Sequence, residues 1–262
     1  MRVLVTGATA GIGAAVAKWL GQADYEVIVH GRSKARCTPV VEAILDEGGT
    51  ARAELANFSS LIQVSDLADR IASQKIDILI NNAGVWLNEE YQTEDGFEMT
   101  WQVNHLAPFL LTQRLLPALL ERDQARVINI SSSGHRSGKI HFDDVNLRRN
   151  FSGMQAYLQS KLANLLFTQE LARRTLGTSL ITHAIDPGAV QTQLLAQTGF
   201  NPPASKPVEK TVEKWLSVVL GPEVLKTSGD YFGPNGRRTE SVTRDPKLAT
   251  RLWELSESQI RK

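Results

Sequence analysis

The stretch Arg2-Val3-Leu4-Val5-Thr6-Gly7-Ala8-Thr9-Ala10-Gly11-Ile12-Gly13-Ala14-Ala15-Val16 starts with a short apolar run, closes it with a glycine, and continues as an apolar pattern of helical spacing to Leu20. That order predicts a strand, a glycine-rich turn and a helix. Gly7 permits a tight turn, Gly11 lets a pyrophosphate approach the backbone, and Gly13 allows close helix packing, with the phosphates at the positive end of the helix. Gly7, Thr9, Gly11, Ile12 and Gly13 are therefore candidate contacts to a dinucleotide. The spacing is G-x-x-x-G-x-G, and its weight comes from its place directly after a first strand.

Working outward, the alternation repeats. Strands are predicted at residues 2–6, 26–30, 50–55, 76–80, 125–130, 179–185 and 229–232, with helices between them. The helical stretches are 12–20, 34–46, 59–73, a long pattern over 93–121 bent at Pro108 and Pro117, a run around Tyr157, 208–220 and a terminal helix from Pro246. Continuous apolar strands spaced by helices predict one α/β domain over residues 1–262. Its core is a doubly wound (Rossmann) parallel sheet of about seven strands with helices on both faces. Ligands sit at the carboxyl ends of such strands, where the polar and glycine clusters of this chain fall. Two stretches, 134–153 and 192–207, are long enough to be expected as substrate-covering loops.

Of the 262 residues, 42% are apolar and 22% charged, and the formal net charge is +1, a balance that provides for a buried core. No basic block argues for nucleic acid or an anionic membrane. Cys37, the single cysteine, has no partner for an internal disulfide and reads as a small residue near a helix start. The chain runs directly into strand-like sequence, and no apolar run approaches the length of about 18 residues of a membrane span. A soluble, cytoplasmic protein is the expectation. The five histidines, at 30, 105, 135, 141 and 183, show no metal-ligand spacing and read as surface or loop residues, so no metal is expected.

After the second strand the sequence is Val29-His30-Gly31-Arg32-Ser33-Lys34, with no acid to grip ribose hydroxyls. NADP(H) is favoured over NAD(H), with Arg32 as phosphate ligand and Ser33 as a further donor. Asn57, after the third strand, is a candidate contact to the adenine edge, or a turn residue. Tyr157 and Lys161 stand one turn apart on one helix face. A neighbouring cation favours the phenolate and fits a tyrosine for general acid–base work. An amphipathic packing pair is the other reading of that spacing.

Thr6 to Gly13, Asn81-Asn82-Ala83-Gly84, Asn104, Ser132, Tyr157-x-x-x-Lys161 and Pro187-Gly188 occur in the order of the short-chain dehydrogenase/reductase family, which the chain resembles over essentially its whole length. Within that family, Ile128-Asn129-Ile130-Ser131-Ser132, Gly138-Lys139-Ile140, the passage from Ser160 to Thr168 and Arg251-Leu252-Trp253 resemble the retinol dehydrogenase branch, including the oxidoreductase part of the WW-domain-containing oxidoreductase.

The resemblance implies lipophilic alcohol or aldehyde substrates, NADP(H) and homo-oligomers formed through the long helices. It also implies roles. Tyr157 exchanges the proton, Lys161 lowers its pKa and holds the nicotinamide ribose, and Ser132, rather than Ser131 or Ser133, binds the substrate oxygen. Asn104 holds a relay water. Asn82, Ala83 and Gly84 line the adenosine ribose and central strand, and Pro187, Gly188, Val190 and Thr192 border the nicotinamide. Trp86, Leu87, Phe151, Met154, Leu194, Leu195 and Phe200 suggest a partly apolar substrate pocket. The expected activity is hydride transfer between NADP(H) and a carbonyl or alcohol. A non-catalytic dinucleotide sensor or scaffold, or a dehydration or epimerisation, are the alternatives.

Overall fold

A computed structural model describes residues 1–199, 205–239 and 245–261. In chain order the elements are β1 (Arg2–Val5), α1 (Gly11–Gln22), β2 (Glu26–Gly31), α2 (Lys34–Asp46), β3 (Thr50–Leu55), α3 (Leu61–Ala72), β4 (Ile78–Asn81), α4 (Met99–Trp101), α5 (Ala107–Leu120) and β5 (Arg126–Ile130). They continue with α6 (Gly153–Arg174), β6 (Ile181–Ile185), α7 (Gln193–Gln197), α8 (Val208–Val219), β7 (Asp230–Phe232), β8 (Arg238–Thr239) and α9 (Pro246–Ile260).

One sheet runs in the order β3-β2-β1-β4-β5-β6-β7-β8. The pairs are parallel up to β7, and β8 adds a short antiparallel edge beyond the expected strands. From β1 the chain winds outward through β2 to β3, then returns to place β4 on the other side of β1. That reversal opens a crevice at the carboxyl ends of β1 and β4.

Side chains alternate between the two faces along each strand. Leu4, Ile28, Leu79 and Val127 pack on one face against Val64, Leu67, Phe109 and Phe167. Val3, Val5, Val27 and Ile80 pack on the other against Val16, Leu20, Ile44 and Trp215.

The expected helix over 93–121 differs at its start. Gly96 takes φ +84°, and the Glu98 carboxylate accepts the Thr100 and Trp101 N–H groups, each at 2.7 Å, so the helix begins at Met99. Residues 102–106 then widen into a π-helical turn. Pro108 explains it, because it brings no N–H to the Asn104 carbonyl four residues earlier and its ring crowds that position.

The residues of α6 from Gln159 to Thr168 are all buried. The sheet lies on one side and α9 on another, where Trp253 meets the rings of Phe109 and Phe167 at 5.0 and 5.9 Å. The stretch 134–153 also packs on α6: the Gln159 side chain donates to the Val145 carbonyl at 2.8 Å and accepts from the His141 N–H at 2.8 Å.

Candidate active site

The glycine turn is held from both sides. The Thr6 hydroxyl donates to the Ile80 carbonyl and accepts the N–H groups of Asn82 and Ala83, each at 3.0 Å. The Asn82 amide donates to the Thr6 and Gly7 carbonyls. Gly7 has φ +64°, and a Cβ there would come within 2.7 Å of the Ala83 Cα. A Cβ at Gly13 would stand 2.3 Å from the Gly7 oxygen. A side chain at either position would push apart the turn that opens α1.

His30 supports this turn, contrary to its expected surface position. Its Nδ1 accepts the Gly7 N–H at 3.2 Å, which leaves Nε2 to donate to the Ala56 carbonyl at 3.1 Å, and its ring stacks on Phe58 at 4.5 Å. Burial pushes its pKa down to about 4. His105, His135 and His183 are buried as well. Among them, His105 bonds the Ser256 hydroxyl of α9 at 2.8 Å. Of these four, only His30 uses both ring nitrogens, the acceptor and the donor of a neutral imidazole; His105 Nδ1, His135 Nε2 and His183 Nδ1 are buried without a partner among the described residues.

A cavity of about 700 Å³ occupies the crevice. Gly7, Thr9, Gly11, Ile12 and Gly13 line it at the turn, and Asn82, Ala83 and Gly84 at the end of β4. Arg32 and Asn57 line the end near β2 and β3, and Pro187, Gly188, Val190 and Thr192 the end near β6. Ser33 does not reach it: this residue starts α2, where its carbonyl accepts the N–H groups of Arg36 and Cys37. The cation the sequence reading missed is Arg36, one helical turn after Arg32 and also in the wall. Its i+4 spacing from Arg32 is the signal that points to it.

Ser132, Tyr157 and Lys161 converge on the same cavity from β5 and α6. The Ser132 hydroxyl shares the cavity wall with the Tyr157 phenol, whose pKa it draws down, and accepts the Gly134 N–H at 3.2 Å. Ser131 is spent elsewhere, donating to the Lys161 carbonyl at 2.8 Å. The Lys161 ammonium donates to the Ile130 carbonyl at 3.1 Å and lies 5.4 Å from the centre of the Tyr157 ring.

The electrostatics differ from the expectation that Lys161 lowers the phenol. Burial, joined by the Asp186 charge and opposed by Ser132, pushes Tyr157 up to about 12. Burial brings Lys161 down to about 8 against the opposing pull of Asp186. In this state the site holds a neutral phenol beside an ammonium.

Asn104 lies under the cavity floor rather than in its wall. Its Oδ1 accepts the Val85 N–H, and its Nδ2 donates to the Val85 carbonyl and, at 3.1 Å, to Ser160. These side-chain bonds hold the Gly84–Val85 segment against α6.

Of the expected apolar lining, Trp86, Met154, Leu194 and Leu195 are in the wall, while Leu87 and Phe151 are not. Phe200 falls outside the described residues, as do Pro202 and Pro203 of the second loop. From 134–153 only Gly134 touches the cavity, whereas α7 lines it. The Trp86 ring rests 4.8 Å from the Tyr157 ring, and its N–H donates to Asn88, whose amide reaches the Gln197 carbonyl of α7 at 3.3 Å.

The family model described as short chain dehydrogenase matches residues 1–201. Retinol dehydrogenase 13 of Homo sapiens is 36% identical, over 96% of this chain and 82% of that protein. A solved protein of Mycobacterium Paratuberculosis superposes with TM-score 0.83 at 31% identity, covering 100% of this chain and 93% of that one. A short chain dehydrogenase from Burkholderia cenocepacia, solved in complex with NADP, matches at TM-score 0.73 and 26% identity over 90% of this chain and 96% of its own.

The chain belongs to the short-chain dehydrogenase/reductase family of oxidoreductases. Within it, the chain falls in the retinol dehydrogenase branch. The glycine turn that added Cβ atoms would fill, at the head of α1, fits a nicotinamide dinucleotide.

Proposed function

We propose that this protein interconverts a carbonyl and an alcohol on a small, partly lipophilic molecule, using NADP(H). One observation carries the reading: the Ser132 hydroxyl and the Tyr157 phenol share a cavity wall with the buried Lys161 ammonium. A pure nucleotide binder needs no such proton machinery.

Gly7, Gly11 and Gly13 hold the pyrophosphate at the start of α1, and Arg32 and Arg36 take the 2′-phosphate. Lys161 orients the nicotinamide ribose, and Pro187, Gly188, Val190 and Thr192 border its ring. When bound, the nicotinamide donates or accepts the hydride. Ser132 holds the substrate oxygen, and Tyr157 delivers a proton to it in reduction or removes one in oxidation. The charge on Lys161 supports the phenolate left after proton delivery, and Asn104 fixes the segment against which Lys161 lies. Trp86, Met154, Leu194 and Leu195 exclude water from the apolar part of the substrate.

Purified protein mixed separately with NADPH and NADH and a panel of aldehydes, ketones and quinones tests this. Consumption of NADPH in preference to NADH is the expected result. Nucleotide binding without turnover across the panel would favour the dinucleotide sensor, and an altered product without net cofactor consumption would favour dehydration or epimerisation.

A further inference from the structure

Asp186 directly follows β6, is buried, and is the only carboxylate among the described residues lining the cavity. Its Oδ1 accepts the Gly188 N–H at 2.8 Å, which locks the Pro187–Gly188 turn. From β7, the buried Tyr231 phenol faces the same side chain, whose charge raises its pKa. Lys161 and Tyr157 face it from α6, and His135 and Arg136 from the turn after Ser132. A charged group so placed is not structural filler, since a neutral acceptor would cap Gly188 and meet Tyr231 at lower desolvation cost.

Its surroundings define what the charge is for. Carbonyl reduction gives the substrate carbon a hydride and its oxygen the Tyr157 proton. It turns a neutral dihydronicotinamide into a cationic nicotinamide in a pocket that already holds the Lys161 ammonium. Two cations in one dry cavity repel strongly unless an anion sits with them.

We propose that Asp186 is the positioning residue that tilts the equilibrium between the enzyme-bound cofactor forms, its carboxylate favouring the oxidised, cationic cofactor over the reduced, neutral one and so favouring carbonyl reduction within the site. The inference rests on the cofactor reading given above. The same carboxylate disfavours a phenolate at Tyr157, so the proton donor stays loaded. Both effects point in the reductive direction.

The test is the dissociation constants of NADP⁺ and NADPH, measured by calorimetry or fluorescence at pH 7 for wild type, Asp186→Asn and Tyr231→Phe. In Asp186→Asn, NADP⁺ binding should weaken about tenfold and NADPH binding less than about twofold, as expected for losing one charge within several ångströms of another. Tyr231→Phe keeps the charge and should hold the ratio of the two constants within about twofold of wild type. Equal weakening of both forms by Asp186→Asn would reduce Asp186 to a turn-locking residue and overturn the proposal. If that variant does not fold, wild type decides. NADP⁺ should bind at least as tightly as NADPH, and an NADPH preference of about tenfold or more contradicts a site built to hold the cation. Failure of wild type to bind either nucleotide would instead defeat the cofactor reading, and the same ratio would then be measured with NAD⁺ and NADH.

Discussion

Asn104 grips Val85 by both of its backbone polar groups, accepting its N–H at 2.7 Å and donating to its carbonyl at 3.0 Å. The amide thereby joins the segment after β4 to α6 through Ser160. Asn104→Ala leaves a donor and an acceptor of Val85 unpaired, at a cost of roughly 1–3 kcal/mol. The urea midpoint should fall accordingly, and turnover should fall further than the loss of folded protein explains, because the floor beneath Lys161 is released. An unchanged midpoint would show the two bonds to be replaceable by water.

Arg32 and Arg36 both line the end of the cavity near β2. Replacing either with Gln should weaken NADPH about tenfold or more, as expected for a lost charge-assisted bond to phosphate. NADH, which lacks that phosphate, should bind as before. Fluorescence titrations of both nucleotides check this, and equal losses for NADH and NADPH would move the arginines off the 2′-phosphate.

Lys161 is a base held down at about 8, and Tyr157 an acid held up at about 12. Below pH 8 the site therefore has both the ammonium and the phenol proton. As pH rises through 8 the lysine charge is lost first. The kcat/KM for carbonyl reduction, which reports groups of the free enzyme, should be level up to about pH 7.5 and then decline toward tenfold per unit. A profile flat to pH 10 would remove Lys161 from the catalytic step.

His30 and His105 are kept neutral by burial, with pKa values near 4 and 3, against an ordinary value of 6.5. In the unfolded chain both protonate near 6.5, so between that pH and the folded values the unfolded state binds more protons and stability falls as pH falls. From pH 6.5 to 5 the loss is on the order of 2 kcal/mol per histidine. Urea titrations over this window should show the midpoint dropping, and His105→Gln should reduce the slope. A constant midpoint would contradict the neutral, buried state of both rings.

Much of this was legible in the chain because it depends on local backbone or spacing. Gly7 and Gly11 mark positive φ, and Tyr157 and Lys161 lie one helical turn apart whatever surrounds them. Pro108 marked a disturbance in the helix, though not that a π turn would absorb it. What escaped reading depends on strands meeting across the sheet. His30 looked like a loop residue until β3 brought the Ala56 carbonyl beside it. Asp186 carries no signal of its own in the chain, because only the meeting of β6 and β7 sets Tyr231 near it. Glu98 capped a helix whose apolar period began before its hydrogen bonds did. The two-residue β8 carries too little pattern to be seen at all.

The central claim is that the Tyr157 phenol gives its proton to a substrate oxygen held by Ser132 while Lys161 supports the charge left behind. Tyr157→Phe removes one oxygen atom and keeps the ring that Trp86 packs against. The direct test is NADPH turnover with the best carbonyl of the panel, measured for this variant beside its NADPH dissociation constant. The account predicts a loss of about a hundredfold or more in kcat, as for removal of a general acid, with NADPH affinity unchanged within about threefold. Turnover equal to wild type, with NADPH still bound, would contradict it.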